Sequence, residues 1–131
     1  MPDVQIAYET KTALDHAQAI ERCREALAAE GFGVLTEIDM QGTLKKKLDA
    51  DLEPYVILGA CHPPSAQRVL ASAPAFGVLL PCNVTVSVEE GATVVRAMNP
   101  EAAMGLLEDP VAREVASEVG AALRRVLATL G

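Results

Sequence analysis

Tryptophan is missing from this chain, and Phe and Tyr supply only two residues each. A stacking platform for nucleic-acid bases therefore has nothing to be built from. The core must be aliphatic, made of Val, Leu, Ile and Ala, because half of all residues are hydrophobic. Basic residues are also scarce: 11 Lys and Arg stand against 18 Asp and Glu, a formal net charge of −7. Affinity for phosphate backbones rests on Lys and Arg, so nucleic acid is excluded as an expected partner. Long apolar runs are lacking too, with none near the roughly 18 residues of a membrane span. Met1-Pro2-Asp3-Val4 has no basic n-region leading into an apolar segment. These absences predict a soluble, cytoplasmic protein without a membrane partner.

Cysteine is infrequent and odd in number, at three, which suits a reducing compartment better than a disulfide framework. No Cys-x-x-Cys, Gly-rich phosphate loop, Ser-His-Asp pattern or His-Glu-x-x-His occurs, and no motif assigns a cofactor. At 131 residues the chain suits one domain, which buries roughly two-thirds of its unfolded surface.

What is present is organised around two stretches. Tyr55-Val-Ile-Leu-Gly-Ala-Cys61-His62 runs from a strand-like segment into Pro63-Pro64. Gly77-Val-Leu-Leu-Pro-Cys82-Asn83 repeats that plan and continues as Val-Thr-Val-Ser-Val. If the two strands pair, their cysteine-bearing ends create the one candidate chemical site.

The remaining elements follow in order. Residues 4–8 alternate as a first strand. Thr12 is the expected N-cap of a helix over about 13–30, closed by Gly31. Gly33–Asp39 reads as a strand with Val34, Thr36 and Ile38 on one face. Gln41-Gly42 marks a turn, and Thr43 caps a short helix holding 44–48. Tyr55–Cys61 is a strand buried on both faces, followed by a helix from Pro64 to about residue 72. A long strand spans 78–88, and its Val78, Leu80, Cys82, Val84, Val86 and Val88 face a core. Glu89-Glu90-Gly91 turns the chain into Ala92–Met98. Asn99-Pro100 and Asp109-Pro110 each start a helix, the last covering 111–130. The one-sided strand and the hairpin predict an α+β domain, a mostly antiparallel sheet of about five strands covered by the first and last helices.

Several of these stretches carry a resemblance. Glu30-Gly-Phe-Gly-Val-Leu-Thr-Glu-Ile-Asp39, Thr43-Leu-Lys-Lys-Lys47, Tyr55 through Pro63, Gly77 through Asn83, and Asn99-Pro-Glu-Ala-Ala-Met104 together resemble the bacterial and archaeal family called domain of unknown function 302. Here His62 stands where that family commonly has Asn, and Asn99 where it has Asp. The resemblance covers nearly the whole chain. It implies a small α+β domain that tends to dimerise, and it implies no activity.

Each candidate residue has a chemical and a structural reading. Cys61 and Cys82 could bind a soft metal, form a redox pair or attack an electrophile; equally, cysteine packs as a small hydrophobe. With Cys23, His16 and His62 at no standard spacing, a structural zinc site is not expected. His62 follows Cys61 directly, so in an extended chain the two point to opposite faces. His16 reads as a solvated helix residue. Asn83 and Asp39 would offer an amide and a carboxylate to an apolar pocket, or satisfy local backbone groups. Lys45, in the single basic cluster, could reach an anion near the Thr43 end of its helix, or be part of a solvated face.

The function expected first is noncatalytic: a homodimer binding a small molecule or soft metal near Cys61, His62, Cys82 and Asn83. A thiol-dependent enzyme or redox protein, and a dimerisation module with buried cysteines, are the alternatives. The dimer expectation rests on an apolar last helix and exposed strand area.

Overall fold

The computed structural model describes residues 5–105 and 108–131; Val4, expected in the first strand, lies outside them. Strands β1 (Ala7–Thr12), β2 (Gly33–Asp39), β3 (Tyr55–Cys61), β4 (Cys82–Glu89) and β5 (Ala92–Met98) form one sheet. Its order is β1-β5-β4-β3-β2, and every neighbouring pair is antiparallel. Helices α1 (His16–Ala29), α2 (Met40–Leu48), α3 (Pro63–Ser72), α4 (Pro100–Met104) and α5 (Pro110–Ala128) complete the α+β domain.

Alternation along the strands separates two sheet faces. Leu58, Val84, Val86, Val95 and Ala97 are buried on the face that α1 and α5 cover. Burying each of the larger aliphatic side chains is worth about 1.5–3 kcal/mol relative to leaving it in water. In α5 the expected stripe of Val115, Val119, Ala122 and Val126 is buried against the chain's own core. That helix therefore has no apolar stripe left for a partner, and only strand surface remains to support the dimer expectation. Leu35, Ile38, Leu48 and Leu52, in or beside β2 and α2, are exposed.

Several expected boundaries shift for identifiable reasons. β1 runs on to Thr12, which pairs with Thr93 of β5, so Thr12 is still strand. The cap of α1 is Asp15, whose carboxylate accepts the Gln18 N–H at 2.8 Å while Gln18 Oε1 accepts the Asp15 N–H. This is the reciprocal capping box. Gly31 closes the helix at φ +84°, a left-handed conformation that favours glycine. Likewise α2 starts at Met40 with Asp39 as its cap, and the cap expected at Thr43 falls inside the helix.

β2 has the expected bounds but a different pattern. The register shifts between Val34, opposite Ala60, and Thr36, opposite Gly59. The bulge at Leu35 puts Val34 against the core and sends Thr36 and Ile38 to the other face.

The strand expected over 78–88 begins only at Cys82. Before it, Pro74–Leu79 winds as a 3₁₀ helix. Phe76, wholly buried, anchors that turn, while Val78 is 88% exposed. The Leu80–Pro81 peptide is cis. At the hairpin, Glu89 still pairs with Ala92. The loop is thus Glu90-Gly91, both at positive φ, the pattern of a type I′ turn. None of the described helices is long and apolar enough to cross a membrane.

Candidate site at the cysteine-bearing strand ends

Because β3 and β4 are antiparallel neighbours, the last residue of one lies beside the first residue of the other. Ala60 pairs with Cys82, and Cys61 ends β3 one residue on. The Cys82 side chain shares the inward parity of Val84 and Val86 and is buried. Cys61 is half-buried where the chain turns into α3. Both cysteines are free, and both residues line one crevice with His62, Pro81, Met104 and Val119. The space is about 20 Å³, close to what a single water molecule requires.

Electrostatics set the two buried thiols apart from ordinary ones. Burial, with the neighbouring Cys61 adding to it, pushes the Cys82 thiol up to about 11. Cys23 in α1 is also a core residue, and burial pushes its thiol up to about 12. Neither is a ready nucleophile at neutral pH, because the thiolate is the reactive form.

His62 is fixed from three sides. Its Nδ1 lies 2.7 Å from Ser65 Oγ, one turn into α3, and Ser65 is buried. Its ring sits 5.2 Å from the Phe32 ring, tilted by 50°. Near Nε2 is Gly31, where an added Cβ would come within 3.2 Å of that nitrogen. Gly31 thus closes α1 and leaves room for the imidazole. His62 also borders a wider groove of about 360 Å³ beyond the crevice. Two ion pairs frame that groove: Arg125 with Glu30 at 2.8 Å and Arg68 with Glu118 at 2.7 Å. The Arg125 hydrogen bond holds Glu30 below the usual carboxylate range.

The six residues singled out from sequence are distributed unequally. Cys61, His62 and Cys82 share the crevice. Asn83 has the opposite parity to Cys82 and is exposed on the sheet's other face. Asp39 and Lys45 are at the far end of β2, where Asp39 pairs with Val56 rather than with the Cys61 end of β3. Asp39 accepts the Gly42 N–H at 3.0 Å as a helix cap. Lys45 pairs with Asp49 at 2.9 Å and Asp51 at 3.1 Å; the Asp49 bond leads in raising its pKa. Both line a shallow depression with Gln41, Asp51 and Leu52.

His16 is half-buried rather than solvated. Its Nε2 lies 2.8 Å from the Val86 carbonyl oxygen, so that nitrogen donates the hydrogen bond.

Sequence reasoning missed Phe32, Ser65 and Met104 as crevice residues. Ser65 had a signal: it follows His62 by three residues at a helix start, a spacing that puts both on one face. Phe32 and Met104 reach the site only through the packing of distant segments. Among the described residues no three His, Cys, Asp or Glu side chains gather closely enough to hold a metal ion. That disfavours zinc, which takes four ligands in structural sites. The crevice offers the sulfurs of Cys61, Cys82 and Met104 as soft donors, beside the ring of His62.

Comparison with known proteins gives one family. The model described as "Domain of unknown function DUF302" matches residues 8–130. The chain is similar to a crystal structure of an uncharacterized conserved protein DUF302 from Bacillus stearothermophilus, at 33% identity. The similarity covers 96% of each chain with a TM-score of 0.86. No curated protein matches.

Proposed function

The chain belongs to the DUF302 family, and we propose that in this member the sulfur-lined strand end is a noncatalytic site for one soft metal ion. One observation carries this reading: Cys61 and Cys82 line a single space of about 20 Å³. Pockets for drug-sized molecules run to about 300–1,000 Å³, so the crevice favours an ion over a metabolite. Thiolate ligands select soft ions such as copper(I). Each bound thiol gives up its proton to the solvent, and the metal–sulfur bond has to offset the cost that the high pKa of Cys82 sets on that release. A nucleophilic role gains no support from a thiol pushed up to about 11.

The test is anaerobic loading of the reduced protein with copper(I). One equivalent should bind and should be lost in Cys61→Ser and in Cys82→Ser. No binding by the wild type rejects the reading.

A second reading is favoured by the depth of Cys82, 6% exposed: both cysteines are core packing in a structural module. Under it, Cys82→Ala would keep the fold but lower its stability through lost core packing, and the wild type would bind no ion.

For either reading the proposed partner is a second copy of the chain, joined through exposed strand surface around Leu35 and Ile38, 66% and 43% exposed. Light scattering should give twice the chain mass, and Ile38→Glu should halve it. A wild-type mass of one chain rejects the dimer.

A further inference from the structure

We infer that Met104 supplies a third ligand to this site, a thioether, and that the three sulfurs select a monovalent soft ion over zinc. The inference rests on the proposed metal-site reading and deepens it. Met104 lines the same crevice as Cys61 and Cys82 and is only 2% exposed. It ends α4, whose start is tied down by the Asn99 cap, with Asn99 Oδ1 accepting the Glu101 N–H at 3.1 Å.

The other walls are poor in donors. Ala60, Val69, Leu80, Val115 and Val119 are apolar. The His62 Nδ1 is engaged by Ser65, and its Nε2 lies beside Gly31. A thioether is neutral and soft, matching copper(I) or silver(I) rather than a hard or borderline cation. Zinc would seek four ligands, chiefly Cys, His, Asp or Glu, and among the described residues not even three of these gather closely enough to hold a metal ion.

The charge balance is simple. One monovalent cation replaces two thiol protons, the thioether adds no charge, and the three-sulfur complex carries one negative charge. The two protons pass to buffer. No electron is transferred when the ion is supplied as copper(I) or silver(I).

The deciding experiment measures copper(I) affinity of the reduced protein against a chromogenic copper(I) chelator. It compares wild type, Met104→Leu and Cys61→Ser, with silver(I) and zinc(II) in parallel. Leu keeps the volume and apolarity of Met, a swap that cores tolerate well. Met104→Leu should weaken copper(I) and silver(I) binding about 10-fold or more, on the scale of losses seen when a metal site's supporting residues are removed. Zinc binding should stay weak in both proteins. Equal copper(I) affinity in wild type and Met104→Leu overturns the thioether while leaving the two-thiol site standing. No copper(I) binding by the wild type overturns both. If Met104→Leu fails to fold, X-ray absorption of the wild-type copper(I) complex decides: three sulfurs support the inference and two overturn it.

Discussion

Ala60 of β3 stands directly across the ladder from Cys82 of β4. The pairing puts one of the smallest side chains opposite the buried thiol, and it is one reason a space remains between the strand ends. Ala60→Val would add bulk to a wholly buried position. We expect a loss of about 1–3 kcal/mol from overpacking, read as a lower urea midpoint. Copper(I) binding should fall with it. Unchanged metal affinity in a folded Ala60→Val protein would mean that the ion sits elsewhere.

Thiol reactivity should follow depth. Cys61, half-buried at its strand end, is expected to be alkylated first in the native protein. Cys82, raised from the ordinary 9.0 to about 11, has its thiolate fraction cut roughly 100-fold at neutral pH and should lag far behind. Cys23, with no exposed surface, should react only on unfolding. Mass spectrometry of timed alkylation gives the order. Cys82 reacting before Cys61 would contradict the burial described above.

Gly59 is held by a close approach. A Cβ there would lie 2.3 Å from Thr36 Oγ1 and 3.0 Å from Pro81 Cγ. Gly59→Ala should therefore cost about 1–3 kcal/mol. Adding Thr36→Ala should recover part of that loss, because it removes the nearer obstacle. A double-mutant cycle by urea unfolding measures the coupling; purely additive effects would show that Thr36 simply swings away.

Phe76 offers a test of how β4 is positioned. It is fully buried in the turn that precedes Cys82. Phe76→Ala should cost about 3–5 kcal/mol and should speed Cys82 alkylation under native conditions. A destabilised protein with unchanged Cys82 reactivity would separate the turn from the crevice.

Much of this arrangement was legible in the chain. Strands Gly33–Asp39, Tyr55–Cys61 and Ala92–Met98 have the expected bounds: alternation marks the first, an unbroken apolar run the second, and the hairpin turn before it the third. Asn99 and Asp109 act as caps where the Asn-Pro and Asp-Pro pairs indicated. The misreadings share a cause. Thr12, Leu35 and Val78 are positions where pairing or packing with distant residues overrides local preference. Thr12 is held by Thr93 and Leu35 bulges against β3, while Val78 is carried out of the strand by the burial of Phe76. The same limit applies to the crevice. Cys61 and His62 are contiguous, and Cys82 follows from pairing two similar strands. Met104 and Phe32 come from segments that no spacing rule connects to them.

Acid should weaken the β4–β5 end of the sheet through Glu89. Hydrogen bonds from Arg96 and then Ser87 hold its carboxyl down to about 2, below the roughly 4.3 of an unfolded glutamate. The stabilisation is therefore complete above about pH 5 and is lost as the pH falls through 4 toward 2. With the side chain 44% exposed, solvent screening limits it to about 1 kcal/mol or less. The urea-midpoint gap between wild type and Glu89→Gln should be present at pH 7 and close near pH 2. A gap independent of pH would assign the effect to packing.

The β1–β5 ladder, with Ala7 opposite Met98, has a consequence for synthesis on the ribosome. The strand translated first docks on the one translated last, so every nascent chain that stops short of Ala92 displays β1 as a lone ribbon. Strands β2, β3 and β4 can zip together as they emerge, but the sheet acquires its final edge only after the hairpin at Glu90-Gly91 has formed. Throughout that interval the segment depends on its own charges, Glu9 and Lys11 among them, to discourage pairing with a neighbouring polypeptide.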